Sequence, residues 1–398
     1  MKLYGKTFGD IYHLLPGPYK AVVVLGIAFI LFIFVHFAEL SFRHERQKGP
    51  EAMQIGGMPW NTPVYDPSLE TDGNKVWLAF SGLDSVSIGD TSVSAPGVHL
   101  AFSAAPACDS WNTLNAGFMP RADDILAPDG QTTIASGVWR YETPSLVHDP
   151  DDKGREWKLY AYKYMWTNNQ SLEAARRYGF IAARYASDPQ KNWSTEEWVL
   201  SPGPGYPPPP YQDLVKTHLN TLDPSLAGIT ILSRPSVVSV KGALVMSLSA
   251  FTWDKTPDRI VLLISYDHGA RWSFAGTALK ASEIGGIGPY MTLGGATLLK
   301  QGEHVYLAAV LGDDKVEGLG TFVFGFEDLA KAKLQRDKHG VPLLLNSLPR
   351  SSAQPTAVGG GYAAYSDKCP ESGVLTGEFS SIRKAFQIFE THRKLVGG

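Results

Sequence analysis

Residue types that suit acid–base chemistry recur at one position of a short repeated sequence motif, which we call the recurring phrase. Each phrase combines a polar residue with a proline or small residue, followed by a short apolar run. Aligning the phrases places Asp66, Glu142, Arg234 and Gln354 at the same point, whereas the fourth copy carries only glycine there. Hydrolysis of a glycosidic bond requires two carboxyl groups of unequal pKa, and a nearby arginine lowers the pKa of a carboxylate.

These residues predict a site for sugar chemistry. We expect Asp66 to act as the base and Glu142 as the acid. Arg234 would orient the substrate or tune a pKa, and Gln354 would contact the substrate. The alternative is structural, because Asp favours turns and Pro fixes φ, so that such phrases also open strands without any chemistry.

The elements that must position these residues form five repeated units. The units begin at Tyr65, Tyr141, Ser233, Gly294 and Ala353. Alternating apolar residues with β-branched or aromatic side chains predict strands, and a spacing of about 60 to 90 residues suits a four-stranded propeller blade. We therefore predict an all-β fold, a five-bladed β-propeller preceded by one N-terminal transmembrane helix. A β-sandwich is the alternative, but it does not explain the recurring phrase.

The composition limits the classes of partner. The 398 residues include 40 Gly, 27 Pro and 11% aromatic residues, which favours short strands and turns. A net charge of −3 without a clustered basic face argues against a nucleic-acid partner. No metal-ligand spacing or nucleotide-binding loop occurs, so neither a metal nor a cofactor is predicted. Cys108 and Cys369 either form one disulfide, if the domain is exported, or are two separate buried thiols.

The first 60 residues differ from the rest of the chain. Residues 21–38 read AVVVLGIAFILFIFVHFA, which is long and apolar enough for a membrane-spanning helix, with a buried helix as the alternative. Basic residues are balanced on its two sides, so we expect the long domain to lie outside the cytoplasm only because single N-terminal anchors usually export it. The predicted segments are an N-terminal tail (1–19), a transmembrane anchor at the cell membrane (20–40), a linker (41–60), the propeller (61–380) and a helix-like C-terminal tail (381–398).

Two stretches resemble known propeller families. The phrase YDPSLETDGNKVWLAFSG from Tyr65 resembles the first blade of five-bladed glycoside hydrolases of the arabinofuranosidase, xylosidase and arabinanase group. The resemblance implies that Asp66 matches the general base and Glu142, in YETP, the general acid. That group carries its acid on the third blade, whereas here the third unit carries Arg234. The octapeptide SYDHGARW (265–272) is similar to the sialidase Asp-box, a structural turn, so Asp267 is expected to have no chemical role.

Two further features have a functional and a structural interpretation. Trp139 and Tyr141 flank Glu142 and are our candidates for a sugar platform, with core packing as the alternative. A proline-rich insert at 200–232 is either a rigid surface connection or a wall over the central cleft.

The leading hypothesis is a membrane-anchored glycoside hydrolase that acts on a cell-surface or extracellular polysaccharide. Its expected partners are carbohydrate and the membrane. The alternative is a non-catalytic propeller that binds glycan or protein in an envelope or polysaccharide-export assembly, since one fold hosts many functions.

Overall fold

The computed structural model describes most of the chain between residues 51 and 378. The described residues are 51–52, 54–56, 64–72, 75–104, 110–166, 178–252, 257–301, 303–312, 320–348, 356–358, 362–366 and 374–378. The chain divides into two units, 1–51 and 52–398. The predicted tails and membrane anchor lie outside the described residues, as do Gln354, Cys108 and Cys369. Within the described ranges, no helix is long and apolar enough to cross a bilayer.

The described residues are almost entirely β-structure. The strands are β1 (Glu51–Ala52), β2 (Gln54–Gly56), β3 (Val64–Thr71), β4 (Lys75–Ile88), β5 (Thr91–Ala104), β6 (Ser110–Phe118), β7 (Arg121–Leu126), β8 (Thr133–His148), β9 (Trp157–Trp166), β10 (Phe180–Ala186), β11 (Glu197–Ser201), β12 (Val215–His218), β13 (Ile231–Val240), β14 (Ala243–Phe251), β15 (Arg259–Ser265), β16 (Ser273–Lys280), β17 (Thr292–Gln301), β18 (His304–Gly312), β19 (Gly320–Asp328), β20 (Lys333–Leu334), β21 (Leu344–Leu348), β22 (Thr356–Val358), β23 (Tyr362–Ser366) and β24 (Val374–Glu378). The helical elements are α1 (Ala281–Ile284) and 3-10 turns at Tyr211–Leu214, Leu219–Thr221, Pro224–Leu226 and Leu329–Lys331.

Four sheets form complete propeller blades. Their orders are β2-β6-β5-β4-β3, β12-β11-β10-β9-β8-β7, β13-β14-β15-β16 and β17-β18-β19-β20, with β21 also paired to β19. Their innermost strands β3, β8, β13 and β17 lie side by side in that order. The prediction of an all-β propeller is confirmed.

The predicted number of five full blades is corrected to four, because the last repeated unit forms only short strands in the described part of the chain. That unit contributes β22, β23 and β24, of three to five residues, to a small sheet ordered β1-β24-β23-β22. Strands β22 and β23 lie against β3, and β22 also lies against β17. The small sheet therefore lies between the fourth blade and the first.

The core lies between blades, so both faces of a blade are apolar. On β9, Leu159 and Ala161 pack against the first blade, whereas Tyr160 and Tyr162 pack against the third. A third cluster fills the interface between the third and fourth blades. Successive side chains of a strand point to opposite faces, which explains why this strand is buried along nearly its whole length.

The serine of the recurring phrase links neighbouring blades. In three interfaces, its hydroxyl oxygen accepts a hydrogen bond from a backbone N–H of the next inner strand. The bonds run from Leu146 N to Ser68 Oγ (2.9 Å), from Val237 N to Ser145 Oγ (2.8 Å) and from Leu298 N to Ser236 Oγ (2.9 Å). Because these hydrogen bonds are buried, each serine satisfies a backbone donor that would otherwise be costly to bury. The phrase is therefore in part a blade-to-blade connector.

The turn at residues 265–272 is held by a network of local hydrogen bonds. Ser265 Oγ donates to Asp267 Oδ1 (2.9 Å) and accepts from Gly269 N (2.8 Å). Asp267 Oδ1 also accepts from the backbone N–H of Arg271 (2.9 Å). Trp272 is 3% exposed and packs in the core. These contacts give Asp267 a structural role.

The proline-rich insert extends the outer edge of the second blade. Strand β12 pairs in parallel with β11, and Leu219 and Leu226 are buried in the interface with the third blade. Tyr211 Oη accepts from Leu126 N (3.0 Å) and donates to Asp124 O (3.0 Å). The insert is therefore a packed part of the blade, and no residue of it lines the cavity of about 550 Å³ that lies between the inner strands.

Candidate active site at the channel mouth

A β-bulge interrupts every complete inner strand at the same place. Two residues of the inner strand oppose one residue of its neighbour between Tyr65 and Ser68, Glu142 and Ser145, Ser233 and Ser236, and Leu293 and Ala296. The first bulge residue has positive φ in three blades: Asp66 (51°), Thr143 (52°) and Arg234 (55°). Non-glycine residues in this region cost about 1–3 kcal/mol each, and such strain collects at functional sites.

The register corrects the sequence alignment by one residue in the second blade. Thr143, not Glu142, is equivalent to Asp66 and Arg234, because it is the first residue of the bulge. Glu142 occupies the preceding position. In the fourth blade the equivalent residue is Gly294, where a Cβ atom would lie 2.9 Å from the Cβ of Val310. That blade therefore cannot place a side chain there without rearrangement, and the polar groups belong to the first three blades.

Despite this one-residue offset, the three predicted polar residues interact electrostatically in the structure. Asp66, Glu142 and Arg234 are all half-buried. The charges of Asp66 and Arg234 both act on the Glu142 carboxyl. Bulges re-aim side chains at the rims of barrels and beside active sites, which fits residues from three blades meeting at one mouth. Gln354 lies outside the described residues.

The environment of Glu142 favours its protonated form. Burial is the largest effect that raises the pKa of Glu142 above its ordinary value of 4.5, and the negative charge of Asp66 raises it further. Three groups oppose the rise: the Tyr164 hydroxyl, Arg234 and Arg140. A carboxyl with a raised pKa beside a second carboxylate is the pairing that acid–base catalysis requires.

Two residues of this site were missed by sequence reasoning. The Tyr164 hydroxyl donates to Glu142 Oε1 at 2.9 Å. Arg140 precedes Glu142 by two residues on β8, so both side chains share one face of the strand, and its guanidinium lies 4.7 Å from the ring centroid of Trp166. The alternation of Arg140 and Glu142 was visible in the sequence, but the pairing of β8 with β9 that adds Tyr164 was not.

The predicted sugar platform is wrong. Trp139 and Tyr141 are 1% and 2% exposed, and they lie on the opposite face of β8 from Glu142 because side chains alternate along a strand. Trp139 Nε1 donates to Asp123 Oδ2 (3.0 Å), and Tyr141 Oη donates to Glu196 Oε2 (2.7 Å). Both rings belong to the core between the first two blades.

A buried lysine lies within that same core. The Lys163 side chain is fully buried and forms an ion pair with Glu196. Its ammonium lies 4.5 Å from the Trp139 ring centroid and 4.6 Å from that of Trp198. Burial lowers the pKa of Lys163 to about 8, although Glu196 acts to raise it. Lys163 pairs with Tyr141 in the register of β8 and β9, so it lies on the opposite face of the sheet from Glu142 and belongs to the core.

A cavity of about 550 Å³ occupies the channel next to the mouth. Its wall comes from β3, β8, β13 and β17, with Asp66 and Thr143 at one end and His148 near the other. Glu142 and Arg234 are not part of this wall, although the residue that follows each of them is. The cavity is therefore lined by their chain neighbours Thr143 and Pro235 and not by Glu142 and Arg234 themselves. Across the described part of the chain, no group of three or more His, Cys, Asp or Glu residues could hold a metal ion.

Comparison with known proteins finds only distantly similar solved structures. No protein-family model matches the chain, and no curated protein matches it. A family 117 glycoside hydrolase of the marine bacterium Zobellia galactanivorans is similar at 15% identity and a TM-score of 0.46, over 83% of this chain and 87% of that one. A glycosyl hydrolase of Bacteroides ovatus is similar at 10% identity and a TM-score of 0.44, over 79% and 83% of the two chains.

An exo-β-1,3-galactanase of Clostridium thermocellum is similar at 13% identity and a TM-score of 0.47, over 82% of this chain and 60% of that one. Likeness at this level is too distant to assign an activity or a substrate. The functional argument therefore depends on the geometry of the channel mouth.

Proposed function

We propose that this protein is a glycoside hydrolase that acts on a cell-surface or extracellular polysaccharide. The observation that carries the proposal is the environment of Glu142: burial and the charge of Asp66 raise its pKa. An acid catalyst needs such a pKa, so that it holds a proton at the working pH and can release it to the leaving oxygen.

The two carboxyl groups take different roles in this proposal. Glu142 protonates the glycosidic oxygen as the bond to the sugar breaks. Asp66 remains ionised and acts on the opposite side of the sugar ring, either on a water molecule or on the anomeric carbon. Arg234 contributes positive charge that acts on the Glu142 carboxyl.

The test is hydrolysis of a panel of polysaccharides by the wild type and by matched variants. Glu142→Gln and Asp66→Asn keep the side-chain shapes but remove the acid and the second carboxylate, so each should reduce kcat/KM by about 10²- to 10⁴-fold. Glu327→Gln, at an exposed ion pair with Lys333, is the control and should retain full activity. Unaltered hydrolysis by folded Glu142→Gln protein would remove Glu142 from the mechanism.

A second candidate function is a propeller that binds glycan or protein without catalysis. The observation that favours it is that Glu142 and Arg234 are not part of the cavity wall, so a ligand in the channel would meet Asp66 first. This candidate predicts saturable binding by the wild type, no released reducing ends over days, and binding that survives Glu142→Gln.

We also infer the finer type of enzyme. Asp66, in an Asp-Pro phrase at a bulge of the first blade, supports a relation to the arabinofuranosidase, xylosidase and arabinanase group. The hydrogen bonds of Ser265, Asp267 and Arg271 support an Asp-box at 265–272. Release of arabinose or xylose from plant-type polysaccharides would support this subtype, and release of other sugars alone would contradict it.

We further propose that residues 20–40 anchor the protein in the cell membrane with the large domain outside the cytoplasm. The support is the apolar run at 21–38. The full chain should remain with membranes after an alkaline wash, whereas a chain that begins at residue 41 should be released. Protection of the large domain from protease added to intact cells would contradict the orientation.

A further inference from the structure

Two arginines flank Glu142 at the channel mouth. Arg140 shares a face of β8 with Glu142, and Arg234 is the first bulge residue of the third blade. The positive charge of each acts on the Glu142 carboxyl. Both side chains are half-buried, so neither is fully surrounded by solvent.

These two arginines differ from most others in the described part of the chain. Five arginines lie within 4.0 Å of a carboxylate oxygen: Arg121, Arg155, Arg259, Arg271 and Arg336. Among the residues that the structure describes, no such ion pair involves Arg140 or Arg234. The Nε of Arg140 is also buried without a hydrogen-bond partner there, as are the Nε atoms of Arg155 and Arg184.

The charges at the mouth do not balance in the catalytic state. Asp66 contributes one negative charge, and Glu142 contributes none when it holds the proton that an acid catalyst needs. Arg140 and Arg234 contribute two positive charges, so the group has one positive charge in excess. A half-buried excess charge favours an anionic ligand, since the local dielectric is lower than that of water.

Local structure constrains both arginines. The guanidinium of Arg140 is stacked 4.7 Å from the Trp166 ring centroid, which limits its freedom and orients its planar donors. The φ of 55° fixes the backbone from which Arg234 projects. Planar guanidinium groups bind carboxylate and sulfate oxygens through paired hydrogen bonds.

We propose that Arg140 and Arg234 form an anion-binding subsite that accepts the carboxylate or sulfate group of an acidic sugar, so that the substrate class is an acidic polysaccharide. The substrate part of this inference rests on the proposed hydrolase function, whereas the binding part does not. Carboxylate and sulfate present the same kind of oxygen acceptor to guanidinium donors.

The experiment measures binding rather than turnover. An array carries uronate oligosaccharides and their neutral methyl esters, together with sulfated oligosaccharides and their desulfated counterparts. The Glu142→Gln chain is used, so that no ligand is consumed. We expect at least one charged member to bind about tenfold or more tightly than its neutral counterpart. Preference within the uronate pair or within the sulfate pair identifies the anionic group.

Matched variants assign that preference to the two arginines. Arg140→Gln and Arg234→Gln, each added to the Glu142→Gln chain, should each weaken binding of the charged member about tenfold. Arg140→Lys should retain part of the affinity because it keeps the charge. Arg271→Gln, at a side chain that is 90% exposed on the third blade, should leave binding unchanged. Thermal unfolding of each variant verifies that it is folded.

Two results would overturn the subsite: equal or weaker binding of every charged member relative to its neutral counterpart, or undiminished binding by both arginine-to-glutamine variants. The hydrolase proposal fails separately. If wild type cleaves neutral polysaccharides and ignores charged ones, the subsite is wrong and the hydrolase stands. If it binds charged glycans through the arginines but cleaves none, the subsite stands and the hydrolase is wrong.

Discussion

Replacing Glu142 with glutamine should stabilise the protein at neutral pH while it removes activity. The environment raises the pKa of Glu142 above 4.5 through burial and the charge of Asp66. The folded protein therefore binds this proton more tightly than the unfolded chain does. The stability that this proton contributes is complete below about pH 4.5 and is lost as the pH rises through the folded-state pKa. Above that pKa, the wild type must hold an ionised carboxylate in a half-buried site.

Glutamine keeps the shape and the oxygen that accepts from Tyr164 but has no charge at any pH. Above the folded-state pKa, the free energy of unfolding of Glu142→Gln should exceed that of the wild type. The difference is about 1.4 kcal/mol for each unit by which the fold raises the pKa. In a chain of this size, 1 kcal/mol corresponds to about 2 °C in Tm. Near pH 4 the difference should disappear.

The assay is urea unfolding followed by tryptophan fluorescence at pH 4, 6 and 8. Glu327→Gln is the control, because the exposed Glu327 and Lys333 pair should contribute less than about 1 kcal/mol. A Glu142→Gln protein that is less stable than wild type at pH 8, or a difference that is constant from pH 4 to 8, would refute the reasoning.

Three other predictions follow from contacts of named side chains. Tyr164→Phe removes a donor to the acid's Oε1, so the pKa of that acid should rise and the alkaline limb of the pH–activity profile should move up by about one to two units. Ser145→Ala should lower the free energy of unfolding by about 1–3 kcal/mol, because the buried Val237 amide loses its acceptor; the exposed Ser87 provides a control substitution to alanine. Lys163 has a pKa lowered to about 8 by burial, so the unfolded chain binds more protons than the folded protein between about pH 8 and 10.5. The stability of wild type relative to Lys163→Met should therefore rise over that window, by up to about 3 kcal/mol.

Each of these three has a result that would count against it. An alkaline limb that stays in place or moves down in Tyr164→Phe would show that the hydroxyl does not stabilise the ionised acid. Equal unfolding free energies for Ser145→Ala and its control would remove the blade-to-blade bond from the stability of the fold. For Lys163→Met, urea unfolding at pH 7.5 and 9.5 should give different offsets from wild type, and identical offsets would contradict the lowered pKa.

The propeller could be predicted from the recurring phrase, because the proline and the serine of that phrase each have a structural role in the blades. The proline follows the first bulge residue, as in Asp66–Pro67 and Arg234–Pro235. The serine accepts from the next blade, as Ser145 does. The number of complete blades was not predictable, because the last unit shares the phrase but has only short described strands.

The chemistry of the mouth was predictable only in part. Asp66, Glu142 and Arg234 are distinctive residue types in a repeated phrase, and they do share one electrostatic environment. The one-residue offset of Glu142 was overlooked, although the proline of YETP follows Thr143 just as proline follows Asp66 and Arg234. The burial of Tyr141 on the opposite face followed from strand alternation but was overlooked.

Proton donation by Glu142 is the central claim, and leaving-group dependence tests it most directly. The measurement is kcat/KM of wild type and Glu142→Gln on the polysaccharide and on a dinitrophenyl glycoside of the same sugar. The dinitrophenolate leaves without a proton, so the variant should lose polysaccharide hydrolysis by about 10²-fold or more yet cleave the aryl glycoside at close to the wild-type rate. Equal losses on both substrates, or no loss on the polysaccharide, would contradict the assignment of Glu142 as the acid.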